Sequence, residues 1–191
     1  MGGSGDTAAS VLAEVHKLVD LVLRYVAAGG SAVLAFGLIQ GRNFEFLRAG
    51  PGQQDVSGWL VLLFISILGV AIYAVHRAVL YRVVSKVPYT IVGLFFVTPR
   101  CGPWQLDKDT RDRRIERRKR NDPWQLSFDA WAAECHFLYC SAWGTLLAVA
   151  LANAIDLPWD QSTLLCVIVG LTLLLSAFIH DGCLLVQEMR R

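Results

Sequence analysis

Four histidines are the residues of this 191-residue chain whose chemistry is most versatile: His16, His76, His136 and His180. A neutral imidazole can bind a metal, serve as an axial ligand of haem or carry a proton. Each histidine belongs to a different apolar helical segment. If these segments are membrane spans with both termini on the same side, all four histidines lie at one end of a helical bundle. Ionisable side chains near membrane depth usually face the bundle interior, so this level is the first candidate site.

Two of the histidines are spaced from a cysteine so that both share one helix face. His136 precedes Cys140 by four residues, and His180 precedes Cys183 by three. If the two faces meet, they offer two nitrogens and two sulfurs, a set that suits tetrahedral zinc. A b-type haem held by two imidazoles from facing helices is the other cofactor hypothesis. Neither spacing is distinctive, and no segment carries two histidines for a pair of stacked haems.

A structural role for these residues is favoured over zinc or haem. Polar side chains at helix ends commonly bond to carbonyls or lipid headgroups and lock a bundle through a belt of charge. The predicted belt consists of Asp20, Arg24, His76, Arg77, His136, His180 and Asp181. The chain contains no GxSxG, HExxH, P-loop or dinucleotide fingerprint. The expectation is therefore a protein without a resident cofactor that is not an enzyme.

A strongly basic block occupies residues 108–120, where eight Lys or Arg and three Asp or Glu give a net charge of +5. Its cations are Lys108, Arg111, Arg113, Arg114, Arg117, Arg118, Lys119 and Arg120. Each cation near an anionic membrane surface contributes about 1 kcal/mol to lipid attraction. The same charge would speed the docking of an acidic protein or contact nucleic-acid phosphates. We rank membrane lipid first, an acidic cytosolic protein second and nucleic acid third.

The basic block lies between two copies of a four-residue repeat. Residues 103–106 and 123–126 both read Pro-Trp-Gln-Leu. One interpretation places Trp104 and Trp124 as anchors at the headgroup level, on either side of a cationic helix over 110–120. The other interpretation is that the repeat reflects ordinary turns begun by proline.

Hydrophobic runs predict an α-helical integral membrane protein with four spans. Apolar residues make up 54% of the chain, above the roughly 45–50% of soluble proteins. A crossing needs about 20 predominantly apolar residues. The predicted spans are 22–41, 58–80, 137–156 and 162–183. The first continues an amphipathic N-terminal helix, and the apolar segment 87–97 is too short to cross, so it is interfacial, re-entrant or packed on the bundle.

The composition of the spans indicates their neighbours. The first span contains small residues, including Gly29 and the pair Gly37-xxx-Gly41, on which another helix can pack closely. The third span is rich in Ala and weakly polar residues, which predicts a central position. The Leu-rich fourth span suits contact with lipid. Four spans with small-residue faces bury few side chains per chain, so we expect a homo-oligomer.

The distribution of cations predicts orientation. Residues 82–120 contain eleven Lys or Arg, whereas 41–57 contain two and 156–161 contain none. Positive loops stay on the cytoplasmic side, so both termini and the loop 85–136 should be cytoplasmic in an inner or plasma membrane. The five cysteines form no CxxC pair and are odd in number. Four of them lie at or near the cytoplasmic side in this topology, where thiols stay reduced, so we expect no structural disulfide framework.

The expected function follows from this architecture. A single membrane domain over 1–191 with a basic inner loop suits a non-enzymatic oligomeric channel, or a membrane sensor or effector that engages lipid or a cytosolic partner. A channel needs a polar lining, and the few candidates are Gln40, Ser141, Thr145 and Asn153. The alternative is a haem- or metal-bearing redox subunit that uses the histidines.

Overall fold

The computed structural model describes Val15 and residues 25–41, 58–96, 103–120 and 124–190. Over this part of the chain every regular element is a helix, which confirms the all-α prediction. The elements are α1 (Tyr25–Ile39), α2 (Gly58–Val75), a π-helical turn (His76–Leu80), α3 (Tyr81–Val84), α4 (Lys86–Phe96), α5 (Pro103–Lys119), α6 (Trp124–Ala154) and α7 (Gln161–Arg190).

In the part of the chain that the structure describes, three helical stretches are long and apolar enough to cross a membrane: Trp59–Val92, Ser127–Ala154 and Gln161–Met189. They overlap the predicted spans 58–80, 137–156 and 162–183 almost completely and extend beyond them at one or both ends, because helical backbone continues where the side chains become polar. The described part of the predicted first span, α1, is short of the roughly 20 residues that a crossing needs.

The apolar segment after Lys86 is part of a long, nearly continuous helical rod. α4 follows α3 after the single residue Ser85, and Pro88 is tolerated because it lies in the first turn, where backbone N–H groups lack intrahelical partners. α4 packs on α7, where Tyr89, Val92 and Leu185 form a buried cluster. Of the alternatives left open for this segment, packing on the bundle is the one observed.

The described residues of both Pro-Trp-Gln-Leu copies stand at helix starts. α5 begins at Pro103, earlier than the predicted 110–120, and α6 begins at Trp124. Proline is favoured in the first turn of a helix because its fixed φ suits the helix and its missing N–H costs nothing there. The Trp124 side chain is half exposed, and that of Trp104 lies outside the described residues.

The centre of the bundle is α6, as its small side chains predict. Within the apolar windows, 61% of the α6 residues are buried, against 17% for the α2–α4 rod and 22% for α7. The outer faces of α2 and α7 therefore expose large apolar side chains such as Phe64, Ile67, Leu171 and Leu175. Such faces suit lipid rather than water.

Where α1 crosses α2 and α6, small residues let the helix backbones touch. We call this contact the small-residue crossing (Gly29, Ser31, Gly69 and Gly144). A Cβ on Gly29 would overlap the Ile65 carbonyl, and one on Gly69 would overlap the Tyr25 carbonyl. A Cβ on Gly144 would meet the Ala28 carbonyl.

In the predicted pair Gly37-xxx-Gly41, the second glycine ends the helix and does not serve close packing. Gly41 has φ +61° and its N–H bonds to the Leu38 carbonyl. This left-handed conformation ends the helix and favours glycine. The observed contact of glycine with glycine joins α1 to α2 at Gly29 and Gly69 instead.

Candidate functional site

Two buried histidines lie side by side at one end of the bundle, which we call the polar end. His76 Nε2 lies 3.1 Å from His136 Nδ1. Trp143 Nε1–H donates to His76 Nδ1 at 3.2 Å, and Arg77 Nη1 lies 3.1 Å from His136 Nε2. These four residues form a linear chain of three polar contacts, the imidazole cluster.

The imidazole cluster holds one N–H proton more than its three polar contacts can use. The tryptophan and the guanidinium at the two ends are always donors, so the three contacts need only one proton from the histidines. Two neutral imidazoles carry two N–H protons, one on each ring. In every combination of neutral tautomers, at least one contact therefore has two donors facing each other. Arg77 is exposed, so it is the member that can turn to water and relieve the conflict.

The π-helical turn supplies the aromatic wall of this cluster. Its i→i+5 bond runs from the Tyr81 N–H to the His76 carbonyl, so both side chains face α6. The Tyr81 ring lies 4.7 Å from that of His136, and the Tyr139 ring stacks on His76 at 5.3 Å. Tyr139 also donates to the buried Asp181 carboxylate at 3.3 Å. Asp181 thus joins the cluster from α7 through a tyrosine.

The remaining belt residues are placed differently. His180 lies against the Trp131 ring at 6.3 Å. His16, Asp20 and Arg24 lie outside the described residues. The structure therefore brings together His76, Arg77, His136 and Asp181, and shows His180 in contact with a separate aromatic side chain.

The proposed zinc ligands are spread over several environments. Cys140 packs beside Ala28 and Ile72, whereas Cys183 is exposed on α7. Among the residues described, no group of three or more His, Cys, Asp or Glu is arranged to hold a metal. The predicted set of His136, Cys140, His180 and Cys183 is not gathered into one site.

The histidine pair does not fit a bis-imidazole haem either. Axial imidazoles stand on opposite faces of the macrocycle with the iron between them. His76 and His136 instead point ring nitrogens at each other within hydrogen-bond distance, which leaves no space for a porphyrin.

α5 is fixed to the end of α7 by three arginines, an arrangement that we call the arginine clamp (Arg113, Arg114, Arg117 and Glu188). Arg114 Nε and Nη2 donate to both carboxylate oxygens of the buried Glu188, at 2.7 and 2.9 Å. Arg117 Nη2 donates to the Glu188 carbonyl at 2.8 Å, and Arg113 Nη1 to the Met189 carbonyl at 3.0 Å. The clamp thus satisfies carbonyls in the last turn of α7, which have no intrahelical donor.

Charge and aromatic contact reinforce the clamp. Burial opposes the charge of Arg114, but its hydrogen bonds and attraction to Glu188 outweigh that cost and raise the pKa of Arg114. The Arg117 guanidinium lies 4.8 Å above the Phe128 ring, a cation–π contact with the start of α6. Nη1 of Arg117 is buried without a hydrogen-bond partner.

The two sides of α5 differ in burial. Thr110, Arg114 and Arg117 follow the i, i+4, i+7 spacing of one helix face and lie towards the bundle. The other side is exposed and carries Lys108, Arg111, Ile115, Lys119 and Arg120. Arg120 pairs with Glu116 one turn earlier, and the side chain of Arg118 lies outside the described residues. Part of the basic block therefore holds the fold, and part faces outwards.

Sequence reasoning missed three important residues of this end. Tyr139 and Trp143 follow His136 by three and seven residues, a spacing that puts them on one helix face, and this signal could have identified them. Glu188 belongs to no such spacing pattern. An apolar helix that ends in a single glutamate, beside a separate arginine-rich helix, is a weaker signal for an ion pair.

Comparison of the chain with known protein families, with curated proteins and with solved structures gave no match. Over the described residues, the fold defines an all-helical protein with three helices long and apolar enough to cross a membrane. Function must be argued from the imidazole cluster, the arginine clamp and the outer side of α5.

Proposed function

We propose that this chain is a non-enzymatic membrane sensor or effector whose cationic helix α5 engages anionic lipid headgroups on the cytoplasmic leaflet. The observation that carries the proposal is the arginine clamp. It holds α5 rigidly at the end of α7, with one face bonded to the bundle and the other exposed and cationic. An anchored cationic surface at the end of apolar helices lies where phosphate headgroups are found.

The composition of the exposed side of α5 supports lipid as the ligand. Lys108, Arg111, Ile115 and Lys119 share one face, so a large apolar side chain lies among the cations. Ile115 is 47% exposed. Helices that lie on membranes combine cations with apolar side chains in this way, because the apolar groups enter the boundary between headgroups and acyl chains.

The proposal includes the topology argued from the sequence: four crossings, both termini in the cytoplasm and a homo-oligomeric assembly. Long helices with apolar outer faces support membrane insertion, and the cations of α5 favour the cytoplasmic side for the polar end. α1 is short for a crossing, but the small-residue crossing packs it backbone to backbone on α2 and α6. A helix so embedded is expected to lie at membrane depth with its neighbours.

The sensor or effector role is favoured over a channel because the weakly polar groups of the bundle serve helix packing. Ser31 Oγ donates to the Ser141 carbonyl across the small-residue crossing, and Thr145 Oγ1 donates to the same carbonyl within α6. Asn153 accepts a hydrogen bond from Trp159 outside the bundle.

The test uses the full chain in nanodiscs with and without phosphatidylglycerol. Cys101 and Cys183 are replaced by Ser, and Ile115→Cys carries an environment-sensitive dye. We expect a blue shift of dye emission in discs with phosphatidylglycerol, and its reversal by salt, because exposed charges are screened within about 10 Å at 0.1 M salt. Emission that is the same in both kinds of disc would contradict lipid engagement and favour a soluble partner.

Charge variants of the exposed side provide matched controls. Replacing Lys108, Arg111 and Lys119 by Gln should abolish the shift without touching the clamp. Replacing Asp112 by Asn and Glu116 by Gln should enlarge it, since the same face then becomes more positive. A membrane-impermeant thiol reagent on Arg120→Cys tests orientation: labelling in intact cells would place this side outside.

A further inference from the structure

Both contacts that His76 makes in the imidazole cluster join the α2–α4 rod to α6. His76 belongs to the π-helical turn of the rod, whereas Trp143 and His136 belong to α6. His76 is fully buried, so neither contact can be exchanged for water while the helices stay packed. Arg77, by contrast, is exposed. The cluster therefore has one end where a surplus donor can turn away, and a middle where it cannot.

The neutral cluster can place its donor conflict at the exposed end. With a proton on Nε2 of both rings, Trp143 donates to His76, and His76 donates to His136. Of the three contacts, only the one between His136 and Arg77 then has two donors, and Arg77 can turn to water. Above about pH 6.5, where a free imidazole is neutral, the rod and α6 therefore fit together.

One more proton moves the conflict into the buried middle of the cluster. A proton added to His76 puts an N–H at its Nδ1, facing the Trp143 N–H. A proton added to His136 puts an N–H at its Nδ1, facing the Nε2–H of His76. If His76 then carries its own proton on Nδ1 instead, the conflict with Trp143 returns. Every singly protonated arrangement thus sets two donors against each other between the rod and α6.

The charges that face the cluster do not remove this conflict. Arg77 repels a second positive charge beside it. Among the described residues, Asp181 of α7 meets the cluster through the hydroxyl of Tyr139, and its attraction for a proton leaves the Trp143 N–H in place. The other titratable neighbours are tyrosines and a thiol, which ordinarily keep their protons below about pH 8: Tyr25, Tyr73, Tyr81 and Cys140.

We propose that the imidazole cluster is a proton-sensitive switch, which holds the rod on α6 at neutral pH and releases it when either histidine is protonated. The two-state element is the π-helical turn. There the Tyr81 N–H bonds to the His76 carbonyl, whereas an α-helix would use the N–H one residue earlier. A return to α-helical spacing turns His76 away from α6 and removes the conflict. The closed state is therefore present at neutral pH and is lost as the pH falls.

This inference goes beyond the proposed lipid engagement of α5 and does not depend on it. The switch stands on the contacts between the rod and α6, and α5 makes none of them. Switches of this kind act by a local change of charge that biases a two-state element. Acidification is thus a stimulus to which a membrane sensor with this cluster can respond.

The test is hydrogen exchange of the full chain in neutral detergent at about pH 7.5 and about pH 5, on either side of the ordinary imidazole value. Labelling times are scaled so that free amides exchange equally at both pH values. We expect the segment 76–85 to lose protection by about tenfold or more in acid, because a buried donor without an acceptor disfavours the closed state by that order. The segment 167–175 contains no titratable side chain and is the internal reference.

Two tryptophan variants separate the donor conflict from the charge of the imidazolium. In Trp143→Phe the fixed donor is gone, so a protonated pair can place its conflict at Arg77, and the acid loss should fall below about threefold. Trp131→Phe is the matched control. It removes an N–H that has no hydrogen-bond partner, beside His180, and should respond to acid as wild type does.

His76→Gln with His136→Asn removes both titratable rings and keeps side chains that donate and accept, so its protection should not change with pH. Equal protection of 76–85 at both pH values in the wild-type chain overturns the switch, and so does an equal acid loss in 167–175. An acid loss in Trp143→Phe as large as in Trp131→Phe would assign the response to charge alone and would also overturn it. Gel filtration and thermal unfolding at neutral pH check folding, and the tryptophan pair decides if the double variant does not fold. Because the detergent contains no anionic lipid, these results are separate from the nanodisc signal of α5.

Discussion

The small-residue crossing and the arginine clamp join helices by opposite means. At the crossing, α1 meets α2 and α6 where side chains are missing, so that backbones touch. At the clamp, α5 meets α7 through long side chains that reach a carboxylate and two carbonyls. The first contact should fail when atoms are added, and the second when a charge is removed. This difference decides which substitution is informative at each place.

Gly69→Ala tests the crossing and should have the largest effect. Its Cβ overlaps the Tyr25 carbonyl, and a backbone atom cannot move aside as a flexible side chain can. We expect the free energy of unfolding to fall by about 3 kcal/mol or more, the upper range for overpacking. Thermal unfolding in detergent measures the loss.

Gly30→Ala is the matched control for the crossing. It lies on the same helix as Gly29, but nothing lies within 4 Å of a Cβ there. Because Ala is favoured over Gly in a helix interior by about 1 kcal/mol, this variant should be as stable as wild type or more so. Equal losses in Gly69→Ala and Gly30→Ala would show that backbone contact is not what holds α1.

The imidazole cluster depends both on close packing and on polar contacts, and His76→Phe should have the next largest effect on stability. The substitution removes both contacts of a fully buried ring and leaves the Trp143 N–H without an acceptor. A buried group left unsatisfied costs about 1–3 kcal/mol, so we expect a loss near 2–3 kcal/mol in thermal unfolding.

Arg77→Gln tests whether Arg77 gives the imidazole cluster one donor too many or simply adds a stabilising polar contact. Removing the second fixed donor lets every hydrogen bond run from Trp143 through His76 to His136, and the new amide oxygen can accept the last proton. Stability should change by less than about 0.5 kcal/mol, as for most exposed substitutions. A loss as large as that of His76→Phe would refute the proton count.

Glu188→Gln tests the clamp with a substitution that keeps the shape. Arg114 then faces an amide in place of a carboxylate, and hydrogen bonds to charged groups are worth about 1.5–3 kcal/mol. Because Arg114 is 31% exposed, solvent screens part of this, and we expect a loss of about 2 kcal/mol. Glu116→Gln removes the carboxylate that pairs with the exposed Arg120 and should cost less than about 0.5 kcal/mol. Similar costs for the two variants would show that burial adds nothing to the clamp.

The parts of this fold that depend on local hydrophobicity could be predicted from sequence. Three of the four apolar runs correspond to helices that could cross a membrane, and the Ala-rich run is central. The Gly29–Gly69 contact could not be predicted, because it depends on which two helices cross at which turn. The same limit applies to Glu188, since its partner lies 74 residues away in sequence and no local pattern relates the two.

The imidazole cluster shows a further limit of sequence reasoning. The structure brings His76 and His136 together, but an α-helical spacing would not direct both His76 and Tyr81 at α6. The π-helical turn does so by changing the number of residues per turn. The local sequence carries no signal for this turn comparable to a proline, so it could not be predicted.

The start of α7 offers the smallest and most local effect, and it separates capping from the contacts between helices. Asp160 Oδ1 accepts the Thr163 N–H at 2.8 Å and its hydroxyl at 3.0 Å, which satisfies an N-terminal donor of the helix. These bonds from Thr163 lower the pKa of Asp160 below its ordinary value of 3.8. The stabilisation by the cap is therefore fully present above pH 3.8 and is lost as the pH falls through the lowered pKa of the folded state.

Asp160→Ala should lower the unfolding temperature slightly at neutral pH, and the difference from wild type should shrink in acid. Asp160→Asn, which caps without a charge, should retain stability without this acid dependence. A gap between wild type and Asp160→Ala that stays constant down to pH values well below 3.8 would mean that the carboxylate charge does not contribute to the cap.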